Sequence, residues 1–374
     1  MQYYKELGEP CRNFCFFSNI LITDPKDGRE KLVLSTFAAG NVGRIIFLDP
    51  EKNEGEQYEL PGDSGAWALY CWKNERLLVG TCPRYGYLHA MDLKTRTWME
   101  PLRDEIEYYI WSFAEGSDGN IYAGTYPSCV LLQYNPREHK LVNLGRVSDD
   151  PGDMYSRSVF ADKHGRIYIN LGCASYTISV WDIETKTYKP FGGKPEQVTD
   201  LTDNLLVTEF NRDRYNFYNV HTQELIESVR KDSISDLSAI KNNHVAEYIK
   251  KMTKTEYSDL IKGGLKPKRL KSGLSFGIFR GQEYYTIENN KLLIKRIPVE
   301  APPTEIFALT YDGKGNLFGA SGLGQTIFKY NIETGHYENT SMVCEHGGEV
   351  YGMRFVNDLL YLTAYSCGDH IVYD

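Results

Sequence analysis

Apolar residues in this chain come in short runs, each closed by Gly, Pro, Asn or Asp. The clearest stretch is Gly119-Asn-Ile-Tyr-Ala-Gly-Thr-Tyr-Pro127, then Val130-Leu-Leu-Gln-Tyr-Asn-Pro136, then Lys140-Leu-Val-Asn-Leu-Gly145. Runs of this length, rich in aromatic and β-branched residues and broken by turn formers, predict strands joined by tight turns. The phrase returns as Arg76–Pro83, Tyr87–Asp92 and Thr97–Pro101, and again at Gly165–Asn170, Ile178–Asp182 and Thr187–Pro190. It recurs at Gly315–Ala320, Ile327–Asn331 and His336–Asn339. An Asp or Asn closes the third strand each time, as in Asp92, Asp182 and Asn331, where its side chain can bond the downstream backbone.

One further apolar run precedes each unit: Gly65–Leu69, Tyr109–Phe113, Tyr155–Val159 and Glu305–Leu309. Four strands repeating about every 40 to 50 residues predict an all-β fold, a β-propeller of four-stranded blades. Units begin near residues 14, 65, 108, 154, 196, 273, 304 and 348, giving eight blades, with seven as the alternative count because the first, fifth and sixth units are weak. The last unit has three strands; Gln2–Gly8 is expected to supply the fourth and close the ring, so residues 1–374 read as one propeller domain. Residues 231–269 break the pattern. Leu237, Ile240, Val245, Tyr248, Ile249 and Met252 follow a helical period, and a second short helix is expected at Thr255–Ile261. This helical insertion is expected to pack on the propeller side, with a lid or an oligomer contact as alternatives.

The repeats serve as controls for one another. One position of the innermost strand reads Trp67, Trp111, Arg157, Thr199, Phe276, Phe307, Tyr351. The rings there are expected as core wedges, and Arg157 stands out as a cation in need of an anion or of water. At the end of the second strand the series is Thr36, Thr81, Thr125, Leu171, Glu209, Ser321, Ala364, with Glu209 the charged member and an ion pair with Arg157 expected. On the third strand His370 replaces Ile45, Leu88, Leu131, Ile178 and Ile327, which predicts a buried, hydrogen-bonded histidine.

Loops expected on one face carry Arg84, Tyr85, Tyr126, Ser128, Asp153, Tyr155, Ser175, Tyr176, Asn211, Arg212, His346, Glu349, Tyr365 and Asp369, with Tyr351 beside them. Tyr rings stack on sugar faces and Arg forks a carboxylate, so the set suits an oligosaccharide or another small ligand.

The formal charge of −8 argues against a nucleic-acid binder working through a basic surface. No apolar run is long enough to span a membrane, and the N-terminus has no basic-then-apolar leader. The eight cysteines show no paired spacing and read as reduced, buried thiols, so a cytoplasmic setting is expected, or an extracellular one if an export signal has been removed. Walker, Rossmann, HExxH and GxSxG motifs are absent. No cofactor is expected; a divalent metal would have to draw on His346, His370, Glu349, Asp369 and Glu209. The sequence leaves the oligomeric state open.

The phrase Gly-Asn-Ile-Tyr-Ala-Gly-Thr-Tyr-Pro…Leu-Gln-Tyr-Asn-Pro resembles bacterial propellers of the streptogramin-lyase-like and quinoprotein-like repeat superfamily, over roughly residues 30–192 and 303–374. Such groups include polysaccharide lyases, glycosidases, lactonases and non-catalytic scaffolds. The resemblance implies, for a lyase acting on uronates, an Arg that offsets the carboxylate and a Tyr or His base. Here those would be Arg157, aided by Arg212 or Arg84, with Tyr155, His346 or His370 as base and Glu209 orienting. The alternatives are a non-catalytic protein- or ligand-binding scaffold on the same face, and a glycoside hydrolase using Glu209 with Glu349 or Asp369.

Overall fold

The computed structural model describes residues 6–254, 267–279, 281–343, 348–365, 368 and 370–374. Its strands assemble into eight antiparallel sheets, each a meander in chain order. Seven sheets have four strands and the last has three among the described residues. This is the blade repeat of an eight-bladed β-propeller, the all-β class and blade count that the repeats predict. Residues 2–5 of the expected closing strand Gln2–Gly8 lie outside the described residues.

The sheets are numbered here in chain order, and their leading strands are Cys15–Thr23, Gly65–Trp72, Tyr109–Glu115, Tyr155–Ala161, Glu196–Leu201, Lys268–Arg269, Ile306–Tyr311 and Val350–Val356. Two compact units hold them. One comprises Met1–Ala66 with Tyr257–Asp374, and the other is Trp67–Glu256.

The Asx turns form as the sequence implies. Asp92 Oδ1 accepts the N–H groups of Lys94 at 2.9 Å and Thr95 at 2.8 Å. Asp182 accepts Thr185 N–H at 2.8 Å, and Asn331 accepts Thr334 N–H at 2.8 Å. These bonds hold the Asp92 and Asp182 carboxyls below the usual range, chiefly through the backbone N–H of Thr95 and of Thr185.

In the Trp67–Glu256 unit the core lies between successive sheets. Leu78, Ile110, Ala123 and Leu132 pack sheet 2 on sheet 3, and Tyr122, Leu131, Val159 and Ile169 pack sheet 3 on sheet 4. Sheets 3 and 4 approach closely at Gly124: a Cβ there would sit 1.8 Å from the Ser156 carbonyl oxygen. In sheet 4 the same position is Asn170, whose amide exchanges two 2.8 Å bonds with the Val198 backbone of sheet 5.

The far face of sheet 5 is covered by one helix, α1, Asn243–Thr253. Asn242 caps it, accepting from His244 N–H and Val245 N–H. Val245 and Ile249 are fully buried against Leu205, Val207 and Phe217, and the Tyr248 hydroxyl donates to Asp200 at 2.9 Å. The described helix of the insertion therefore packs on the sheet. Upstream of the cap, Leu237–Ala239 forms a separate 3-10 turn, so the periodic run is broken in two. The second expected helix, Thr255–Ile261, lies outside the described residues. No described helix is long and apolar enough to cross a membrane.

In the other unit, Leu34, Ile46 and Phe14 of the first segment pack with Phe276 and Tyr284, while Phe318, Ile327, Val350 and Leu362 join sheets 7 and 8.

Candidate functional site

The odd position of the leading strands is a β-bulge. The register against the second strand skips one residue at Phe17, Trp111, Arg157, Thr199, Phe307 and Tyr351. A bulged residue leaves the ladder and its side chain is re-aimed. The expectation of core wedges is therefore corrected. Trp67 and Trp111 are half-buried, Arg157 and Thr199 are exposed, and Phe307 and Tyr351 are 44% and 59% exposed. Phe276 does not belong to the series: it lies on the second strand of sheet 6, opposite Lys268, and is fully buried.

In the Trp67–Glu256 unit the bulges gather a set of rings. Trp67 meets Trp111 at 5.4 Å between centroids; Tyr109 stacks on Trp111 at 4.9 Å, and Tyr126 stacks on Tyr155 at 4.9 Å. Tyr155 also meets Trp111 edge-on at 5.5 Å. The Arg157 guanidinium carbon lies 5.3 Å from the Trp111 ring centroid. Ser112 fixes this arrangement, because its hydroxyl donates to the Arg157 carbonyl at 3.2 Å and accepts Val159 N–H at 2.9 Å. Burial, with the Cys173 thiol beside it, pushes the Tyr155 phenol above its ordinary value.

The expected Arg157–Glu209 ion pair does not form. Glu209 is engaged by Lys231, whose ammonium also lies 5.0 Å from the Tyr215 ring centroid. No described carboxylate pairs with Arg157. The register also moves Glu209 in the series: Thr208 faces Val198 as Thr125 faces Ile110, so Glu209 corresponds to Tyr126, one residue further on. The alignment that made it an outlier was one residue out.

Tyr85 packs on Tyr87 at 5.4 Å, with the Arg103 guanidinium 5.5 Å from the Tyr85 ring centroid. Arg84 is exposed on the same loop, and Asn211 and Arg212 form an exposed turn at positive φ, 50° and 62°. The structure thus joins Tyr126, Tyr155 and Arg157 with Trp67, Tyr109 and Trp111, while Glu209 is held by Lys231.

The remaining expected residues belong to the other unit. Phe307 meets Tyr351 at 5.0 Å, and Tyr351 meets Tyr365 at 5.7 Å. The Glu349 carbonyl accepts Tyr365 N–H at 2.8 Å. Burial, reinforced by the Glu349 charge, pushes the Cys15 thiol up to about 12. His370 lies opposite Thr363 and is exposed, so the expected buried histidine is corrected. Ile45 and Leu131 are buried at its sister positions, whereas this face of the last sheet also leaves Tyr361 and Val372 exposed. His346 and Asp369 lie outside the described residues.

Sequence reasoning missed Glu107 and Glu196 and placed Asp153 on an open loop, whereas the three form a row of buried carboxylates just before the leading strands or at their start. Glu107 accepts Ser128 N–H at 3.2 Å. Asp153 accepts the Ser148 hydroxyl at 2.7 Å and Ser175 N–H at 2.8 Å. Glu196 accepts Tyr218 hydroxyl at 2.8 Å and Asn216 amide at 2.9 Å, as well as Thr208 and Gly193 N–H. Burial raises the Asp153 carboxyl, but hydrogen bonds from Ser175 and Ser148 outweigh it and hold the group below the usual range. The signal was an acidic residue shortly before the bulge: Glu107 and Asp153 stand four positions ahead of Trp111 and Arg157, and Glu196 three ahead of Thr199. Among the described residues no group of three or more His, Cys, Asp and Glu side chains stands close enough to hold a metal ion.

Among known proteins, no family model matches the chain, and no curated protein matches it. Solved structures do. The computationally designed Ika8 protein is 14% identical, with 98% of this chain and 99% of that one covered and a TM-score of 0.43. U3-55K is 12% identical over 96% of this chain and 89% of its own, with a TM-score of 0.43. The WD40 repeats of RRP9 are 11% identical over 96% and 88%, with a TM-score of 0.44.

Proposed function

We propose that this protein is a ligand-binding propeller whose ring-lined face in the Trp67–Glu256 unit takes up a uronate-bearing oligosaccharide. The observation that carries the reading is Arg157: an exposed guanidinium over the Trp111 ring, with no described carboxylate to neutralise it. A sugar seated beside this ring cluster would bring its carboxylate to the planar fork of the guanidinium, which donates to such a group bidentately. Backbone bonds through Ser112 pre-set the two strands, which lowers the ordering cost of binding.

Binding, not bond cleavage, is what the chemistry of this face favours. A lyase needs a group ready to take a proton near neutral pH. Tyr155 is the base candidate beside Arg157, and its environment holds the proton on more firmly than in a free phenol. A hydrolase needs two free carboxyls, whereas Glu209 is engaged by Lys231.

A thermal-shift screen of the full chain against acidic and neutral oligosaccharides tests the reading. The expected result is a raised midpoint with uronate oligomers only, and no ultraviolet-absorbing unsaturated product on prolonged incubation. An equal response to neutral sugars, or none to any acidic sugar, overturns it. Release of unsaturated product returns the lyase alternative.

A further inference from the structure

Away from the ring-lined face, two histidines from different sheets meet in a cleft. His164 lies in the turn after the leading strand of sheet 4, and His221 in the turn between the last two strands of sheet 5. Their ring centroids are 4.6 Å apart with planes at 68°. Both side chains are exposed, and they line a cleft of about 440 Å³ together with Asp162, Thr202, Asp203 and Asn204.

The two turns are tied together through their backbones. Asp162 accepts His164 N–H at 2.8 Å and Arg166 Nε–H at 2.6 Å. The Arg166 guanidinium then reaches across to donate to the His221 carbonyl at 3.3 Å and to the Val220 carbonyl. Asn219 accepts His221 N–H at 2.8 Å. The imidazoles are therefore carried to van der Waals contact by a fixed frame, while their ring nitrogens engage no described group. His139, by contrast, spends one ring nitrogen on the Tyr134 hydroxyl at 3.0 Å and the other on the Glu100 carbonyl at 2.7 Å.

We propose that His164 and His221 form a two-imidazole site for a divalent transition-metal ion of the Zn²⁺ or Ni²⁺ class. Neutral imidazole nitrogens suit these ions, and the broad torsion about each exposed ring lets both nitrogens turn toward one point in the cleft. Asp203, on the lining of the same cleft, is an oxygen donor to recruit. Its present partner is Lys163 at 2.6 Å, and both side chains are largely exposed, at 75% and 80%. Such surface pairs are worth little and yield to a stronger ligand. Water fills the remaining positions, so the site binds weakly and exchanges readily. An ion there would link sheet 4 to sheet 5 and stabilise the folded chain increasingly as the free ion concentration exceeds its dissociation constant.

Isothermal titration of the full chain with Zn²⁺ or Ni²⁺ chloride tests this. It is run in a Cys173→Ser background, because that exposed thiol would compete for the ion. One saturable equivalent is expected. His164→Ala and His221→Ala should each weaken it by about tenfold or more, since losing a ligand costs at least as much as losing a ligand's outer partner. His336→Ala, an exposed histidine of the other unit, should leave it unchanged. Metal-free unfolding midpoints of the variants confirm that they fold. Absence of saturable binding, or parental affinity in both His164→Ala and His221→Ala, overturns the proposal.

Discussion

Arg157 and Trp111 each occupy the bulge of their own leading strand, and the bulges bring guanidinium and indole to 5.3 Å. Two adjacent sheets thus present a cation and a ring to the same patch, and neither residue is spent on the strand ladder. The pairing is neighbourly: the ring has other rings about it, and the cation has solvent.

Replacing the cation should separate binding from stability. Arg157→Ala removes an exposed side chain that closes no described ion pair, so the unfolding midpoint should move little. Arg157→Lys keeps the charge and loses the fork, so an interaction that depends on bidentate geometry should weaken in both variants. Thermal denaturation of both, beside the parent, checks the stability half.

Glu196 should behave in the opposite way. Its buried carboxylate receives bonds from Tyr218, Asn216, Thr208 and Gly193, so Glu196→Ala orphans several buried donors at once. A loss of about 3 kcal/mol or more is expected, read as a lower urea midpoint.

Asp153 sets a pH dependence. Its folded carboxyl titrates below the ordinary aspartate range because the hydrogen bonds from Ser175 and Ser148 outweigh burial. A depressed folded value means stability that is present above the unfolded value, near 4. It fades as pH falls through the folded value. Asp153→Asn should flatten the acid limb of a stability-against-pH curve while leaving its shape at neutral pH. An unchanged acid limb would deny Asp153 this role.

Contact between sheets 3 and 4 rests on the bare backbone at Gly124. A Cβ there would lie 1.8 Å from the Ser156 oxygen, backbone against side chain, with no flexible atom to give way. Gly124→Ala should cost about 3 kcal/mol or more, at the upper end of overpacking penalties. Ile249→Ala on α1 should cost about 2 to 5 kcal/mol by uncovering the far face of sheet 5. Both are measured by denaturant unfolding.

The blade plan was legible because its signals are local. Asp92, Asp182 and Asn331 write the same turn into the chain three times, and the Gly-Thr of the second strand marks a tight approach. Site residues were harder, since a bulge is a one-residue slip that no run of residue types announces. It left Trp111 half-buried and turned Phe307 and Tyr351 out to solvent, and the same one-residue ambiguity misaligned Glu209 with Thr125. Sheet 6 begins with a strand of only two residues, Lys268–Arg269, which is why Phe276 was counted one strand too early. The Glu209 partner, Lys231, follows the last strand of the same sheet, a contact that repeat alignment does not reach. His370 was expected inside because its sisters are apolar, but that argument needs each blade to have the same cover.

Tryptophan fluorescence during titration with a saturated uronate oligosaccharide tests the central claim most directly, because Trp111 is the ring over which Arg157 stands. The parent chain should show a saturable spectral change that its neutral counterpart sugar does not produce. Arg157→Ala, folded to the same midpoint, should lose the change or need at least about tenfold more sugar, as expected when a charged hydrogen-bonding partner is removed. An identical titration curve in parent and Arg157→Ala would contradict the account.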